Sequence, residues 1–318
     1  YTKEQMQALI TFAQRYHITI VPEIDMPGHM HAILKHHPDL QLTSNTGTRQ
    51  PGDIDLSKDE SYALMRDILE EFIPLFPGPY WHIGADEYLM FDNYANYPQL
   101  QAYAIRRYGP EANSKDTYLG FVNWANALVK AHGRITRAWN DGLHGGSAVT
   151  VANDIIYEHW LNSGLTPQEI VDRGLFTMNS SIDYLYYILD GKREQTRPDP
   201  IYNAYEQHVF QNKQTIKPGH TQLLGAKLHV WCDHPDAETE NQIAEGIAPL
   251  LRGLAQKNWG SPKIVPTYTD FVYVMEHIGR APGSMGQTLP TEQIPYATGE
   301  IAVAETTDPP IPAQSAHS

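Results

Sequence analysis

Tyr80-Trp81-His82-Ile83-Gly84-Ala85-Asp86-Glu87 is an apolar run that stops abruptly in two adjacent carboxylates. A short continuous apolar run suits a strand buried on both faces of a parallel sheet. The same design recurs on both sides of it. Ile18 to Ile24 is one such run, followed by Asp25 and a Pro27-Gly28 break. Ile135 to Trp139, Asp154 to Trp160, Leu175 to Met178 and Ala226 to Trp231 are the others. Helical patterns lie between them. Thr2 to Gln5 makes a capping box ahead of Met6, Leu9, Ile10 and Ala13 on one face, and Ser57 to Glu60 makes a second ahead of Leu64, Ile68 and Phe72. Asn123 to Ala131 continues a helix, Thr166-Pro167-Gln168-Glu169 supplies an N-cap, a Pro at N1 and an acidic N3, and a helix from about Thr239 to Gln256 closes the region.

About six strands alternating with helices predict an α/β fold with parallel strands. The barrel form of this layout, (β/α)8, needs eight strands. We therefore expect a TIM barrel truncated at its N-terminus, with residues 1–280 as the catalytic barrel domain lacking its first strands. A doubly wound open sheet is the alternative, weakened because no Gly-rich phosphate turn follows any strand. From 281 to 318 the chain carries Pro282, Pro290, Pro295, Pro309, Pro310 and Pro312 without apolar periodicity, the pattern of a Pro-rich tail or linker.

Composition narrows the partners. The 318 residues hold 23 Lys plus Arg against 37 Asp plus Glu, a formal charge of -14, so no basic footprint for nucleic acid or anionic lipid exists. The single cysteine, Cys232, rules out an internal disulfide or a zinc ribbon. No run reaches the roughly 18 apolar residues of a membrane span, and no signal peptide opens the chain. Because the chain begins at Tyr1, it reads as an excised piece.

The strand ends carry the chemistry: Glu23 and Asp25, Asp86 and Glu87, Trp139 and Asp141, Trp160, Asn179, and Trp231 with Asp233. In a barrel these ends converge on one face. An Asp-Glu pair can also simply open a helix, where acidic residues suit the dipole. On a strand, however, Asp86 and Glu87 point opposite ways, so a side-by-side nucleophile and acid is not the expected arrangement. A different division of labour follows: Glu87 as general acid, and Asp86 orienting a substrate group that acts as the nucleophile. In Val21 to His29, Asp25 and His29 sit beside the Pro-Gly turn. A metal site built from His29, His31, Asp86 and Glu87 is the rival. His31 stands two residues after His29 rather than at helical spacing, and no HExxH set exists, so neither metal nor cofactor is expected.

His82-Ile83-Gly84-Ala85-Asp86-Glu87 resembles the His-Xaa-Gly-Xaa-Asp-Glu signature of the family-twenty glycoside hydrolases, the β-N-acetylhexosaminidases. Val21-Pro22-Glu23-Ile24-Asp25-Met26-Pro27-Gly28-His29 resembles a second signature of that family, in the family's order. The resemblance runs from Tyr1 to about Gln256. It implies retention of anomeric configuration through substrate assistance, in which the sugar's 2-acetamido carbonyl attacks its own anomeric carbon. Glu87 would then protonate the leaving oxygen and later deprotonate water. Asp86 would orient the acetamido N–H and stabilise the oxazolinium. The resemblance gives Tyr184 the hydrogen bond to the acetamido oxygen, makes Trp139, Trp160 and Trp231 the aromatic walls, and leaves Asp25, His29 and His82 as supports for the acid.

Two departures bear on substrate. Trp231-Cys232-Asp233 stands where the family commonly has Trp-Xaa-Glu, and Tyr186 stands two residues after Tyr184 where many members have Asp. The shorter Asp233 resembles the lacto-N-biosidases of the family, which release the disaccharide Galβ1-3GlcNAc. The expected partner is thus a glycan ending in lacto-N-biose or a β-linked N-acetylhexosamine, met by a secreted or cell-surface bacterial protein. A non-catalytic carbohydrate-binding barrel is the alternative, one that would keep the aromatic residues but not need the acid.

Overall fold

The computed structural model describes residues 1–89, 93–189 and 197–279; the Pro-rich stretch from 281 lies outside them. Six strands form one sheet: β1 (Glu23–Met26), β4 (Tyr80–Gly84), β5 (Ile135–Trp139), β6 (Ile156–His159), β7 (Phe176–Asn179) and β9 (Leu223–Ala226). They pair in that order, every pair parallel. The remaining strands form two small sheets, an antiparallel hairpin of β2 (Gln41–Thr43) with β3 (Arg49–Ile54), and a parallel pair of β8 (Tyr186–Ile188) with β10 (His229–Trp231). A parallel sheet of six strands, joined by helical crossovers except between β5 and β6, is part of a (β/α)8 barrel, as the strand count predicts.

The helices are α1 (Lys3–Arg15), α2 (His31–Leu34), α3 (Asp59–Phe72), α4 (Pro98–Tyr108), α5 (Ser114–Ala131), α6 (Pro167–Asp172), α7 (Ile182–Leu185), α8 (Pro198–Asn203), α9 (Glu240–Asn258) and α10 (Tyr268–Ile278). The capping box at Thr2 and the N-cap with acidic N3 at Thr166 form as the sequence predicts, and Thr239 adds a capping box of its own. Trp81, Ile83, Leu69, Phe121, Val122 and Tyr157, all fully buried, join strands to α3 and α5 in the main core. Tyr1–Ile278 forms one compact unit.

Four expectations need correction. The first strand is Glu23–Met26 rather than Ile18 to Ile24, because Pro22 has no N–H to give and the parallel ladder opens only where Glu23 meets His82. The Ser57 capping box is absent. Ser57 instead directs its N–H and hydroxyl to Asp55 Oδ1 at 3.0 and 2.7 Å, and α3 starts after Lys58 without a side-chain cap. Leu9 does not share the buried face of α1, being 46% exposed. The run Ala226 to Trp231 divides between β9 and β10, which pair with different sheets.

Candidate active site

The C-terminal ends of the parallel strands converge on a cavity of about 490 Å³. Carboxylates and His29 line one part of it: Glu23, Asp25, Asp86, Glu87 and, at the exposed rim, Asp233. Aromatic rings line the rest. Trp139, Trp160, Tyr186 and Trp231 form a box, with Tyr186 stacked on Trp160 at 6.2 Å and 6°, and Trp231 5.5 Å from Tyr186 and 6.0 Å from Trp139. Trp139 donates its indole N–H to Glu23 Oε1 at 2.9 Å, while the Lys227 ammonium lies 4.5 Å from its ring centroid.

The turn after β4 explains the two signatures physically. Gly84 has φ +72°, and a Cβ there would fall 1.8 Å from Asp25 Oδ1. Only glycine lets the Asp25 carboxyl pack against the strand end. Gly28 in the Pro27-Gly28-His29 turn packs less tightly but still closely, since a Cβ would meet the Asp86 carbonyl at 3.0 Å. Ala85 and Glu87 are themselves left-handed, with φ 72° and 54°. Non-glycine residues hold such conformations only where their surroundings over-determine them.

Electrostatics divide the carboxyls by role. Asp25 is pushed far above the ordinary carboxylate range by burial and by the charge of Asp86, to which it hydrogen-bonds. It is therefore protonated at neutral pH and a donor to Asp86. Asp86 is also raised, by burial and by Asp141. His29 places Nε2 3.3 Å from Glu87 Oε2 and 3.5 Å from Asp86 Oδ2. The hydrogen bond to Glu87 and the charge of Asp86 outweigh burial and raise its imidazole to about 9, so His29 is cationic near neutrality. His82 lies beneath the cavity rather than in it. Burial lowers it to about 4, Gly84 donates its N–H to Nδ1 at 3.0 Å, and the neutral ring packs 5.1 Å from Trp139.

Tyr184 departs from its expected place. It sits on the one-turn helix α7, packs 5.4 Å from Tyr205 beside a separate apolar cluster, and does not line the cavity. The turn of α7 carries the chain past the cavity, and β8 then presents Tyr186 to it. Ile182 and Ile188 add apolar lining that no sequence signal distinguished from core. Glu23 and Asp141 stood out at strand ends but received no role, because the partners that define them, Trp139 and the Glu87 backbone, are distant in sequence. Among the described residues, Asp25, His29 and Asp86 are the group whose ligand atoms lie close enough for a metal, within 4.8 Å of one another. No helix among the described residues is long and apolar enough to cross a membrane.

An acid beside a cation, a second carboxylate with a fixed donor, and four aromatic faces can hold a ring with apolar faces and deliver a proton to it. Residues 1–262 match the family described as glycosyl hydrolase family 20, catalytic domain. A lacto-N-biosidase of Bifidobacterium bifidum is 31% identical over 280 residues, covering 88% of this chain and 25% of that protein. A β-hexosaminidase of Porphyromonas gingivalis is 26% identical, over 85% of this chain and 35% of that protein. Among solved structures, the exo-β-N-acetylglucosaminidase of Vibrio harveyi in complex with N-acetylglucosamine superposes with a TM-score of 0.68 at 25% identity, over 87% of this chain and 44% of that one. The chain thus spans between a quarter and under half of the length of these relatives.

Proposed function

The chain belongs to glycosyl hydrolase family 20, and on that footing we propose that it is the catalytic portion of a retaining glycosidase that uses the substrate's 2-acetamido group as nucleophile. The observation that carries this reading is the sharing of His29 Nε2 by Glu87 and Asp86. A two-carboxylate double displacement needs its carboxyls flanking the anomeric carbon about 5–5.5 Å apart. Here one turn commits both carboxylates to a single imidazole, with Asp86 backed by buried Asp25, which suits Glu87 as the acid and Asp86 as the partner of a nucleophile carried by the substrate. Glu87 protonates the leaving oxygen and then deprotonates water. Asp86, backed by protonated Asp25, accepts the acetamido N–H and stabilises the oxazolinium. Tyr186, rather than Tyr184, reaches the acetamido oxygen from the aromatic wall, and Trp139, Trp160 and Trp231 enclose the methyl and the sugar face.

We further propose lacto-N-biose as the released unit, with a terminal β-linked N-acetylhexosamine as the second candidate. The 31% identity to a lacto-N-biosidase and the short carboxylate of Asp233 at the rim support the disaccharide. A place outside a bacterial cell, where such glycan ends are met, belongs to the same reading.

The test is turnover of three aryl glycosides by the complete barrel that includes this chain: lacto-N-bioside, N-acetylglucosaminide, and the glucoside lacking the acetamide. Substrate assistance predicts hydrolysis of the first two, none of the third, and inhibition by a thiazoline mimic of the oxazoline far tighter than by product. Hydrolysis of the glucoside would refute the acetamide nucleophile. Tight sugar binding without turnover would instead make the chain a carbohydrate-binding barrel.

A further inference from the structure

Asp141 lies two residues beyond β5 and is 2% exposed. Both oxygens of its carboxylate are engaged. Oδ2 accepts the backbone N–H of Glu87 at 2.7 Å, and Oδ1 accepts the indole N–H of Trp160 at 2.8 Å. These donors come from the ends of two other strands. The other end of the same turn is held as well, because the buried Tyr118 hydroxyl donates to the Ala85 carbonyl and lies 3.3 Å from the Asp141 carbonyl. The turn so clamped is the one with left-handed Ala85 and Glu87. Trp160 in turn stacks on Tyr186.

We propose that Asp141 is a positioning residue that ties the Glu87-bearing turn to the Trp160 wall, so that a ring seated against that wall meets the acid at a set distance and angle. The proposal rests on the glycosidase reading of the site. Its chemistry is specific to a carboxylate. An amide at this position offers one acceptor oxygen, and its NH2 would face an N–H donor, so one of the two ties must break. Alignment of an acid is worth much in rate, since a displacement of about 1 Å can cost about 10²-fold.

The experiment compares Asp141→Asn, Asp141→Ala and Trp160→Phe with the wild type in the full chain. It measures kcat and KM on aryl substrates with poor and with activated leaving groups, and amide hydrogen exchange at Glu87 without ligand. Asp141→Asn should lose roughly 10- to 100-fold in kcat on the poor leaving group and far less on the activated one, with KM changed little, and Asp141→Ala, which removes both acceptor oxygens, should exchange the Glu87 amide faster. Trp160→Phe keeps a ring but removes the indole N–H, and should give a smaller kcat loss with the same leaving-group dependence. In the double variant that second loss should not add, as coupled residues behave. Equal losses on both substrates, a rise in KM alone, or unchanged exchange at Glu87 in Asp141→Ala would overturn the proposal. Should Asp141→Asn not fold, Trp160→Phe carries the leaving-group outcome. If the wild type hydrolyses nothing, the glycosidase reading fails, and exchange at Glu87 in Asp141→Ala alone decides whether the tie exists.

Discussion

His29 Nε2 stands 3.3 Å from Glu87 Oε2 across two turns in which both residues have left-handed backbones, φ 53° and 54°. Neither turn brings its side chain there by local preference. Each is held by the tight packing of Gly28 on the Asp86 carbonyl and of Gly84 on Asp25. The consequence is a cation held beside both Glu87 and Asp86.

Glu87→Gln should abolish hydrolysis of substrates with poor leaving groups while sparing activated aryl glycosides in part, because a general acid matters most where the departing oxygen needs a proton. Asp86→Asn should harm both classes alike, since both pass through the same oxazolinium. Steady-state kinetics on a leaving-group series checks this. Near-normal turnover by Asp86→Asn would remove the support for substrate assistance.

Stability should fall with rising pH across the His29 titration. Its imidazole is raised from the ordinary 6.5 to about 9 by the hydrogen bond to Glu87 and the charge of Asp86. A folded-state value above the unfolded one gives a contribution fully present below about 6.5 and lost as pH climbs through about 9. Asp25, raised by burial and by Asp86, adds a loss of the same sign above the ordinary carboxylate range. The thermal midpoint should therefore decline between pH 6.5 and 9, and His29→Gln should flatten that decline. An identical slope in the variant would contradict the assignment.

Asp233→Glu should reshape substrate preference. The longer carboxylate refills space at the rim of the cavity, and a misplaced methylene shifts discrimination by about 1–3 kcal/mol, or 10–200-fold. The ratio of kcat/KM for aryl lacto-N-bioside over aryl N-acetylglucosaminide should exceed one in the wild type and drop or invert in the variant. If the wild type cleaves only the monosaccharide substrate, the disaccharide assignment is wrong.

Beneath the cavity, the fully buried Glu158 pairs with Arg137, whose Nε donates to Oε1 at 2.6 Å, and with Lys227. Glu158→Ala leaves two cations without their partner and should cost about 3–5 kcal/mol in urea unfolding. Lys227→Met should cost less, because Arg137 still pairs with Glu158. A larger loss from Lys227→Met would show that its contact with the Trp139 ring, not the ion pair, is what stabilises this layer.

Much of this was legible in the residues alone. Continuous apolar runs ending in acids and tryptophans specify parallel strands with chemistry at one end, since burial on both faces and backbone pairing act along the local chain. The strands bearing Asp86, Glu87, Trp139 and Trp160 are of that kind, and so the fold class and most of the aromatic wall could be read directly. The tertiary structure decided what depends on phase and on meetings between distant segments. One turn of α7 exchanged Tyr184 for Tyr186 in the cavity, because a helical turn alters which side of the chain the next residue presents. Protonation of Asp25, the cationic state of His29 and the grip of Asp141 on the Glu87 N–H arise from burial and from partners tens of residues away, which no local pattern encodes.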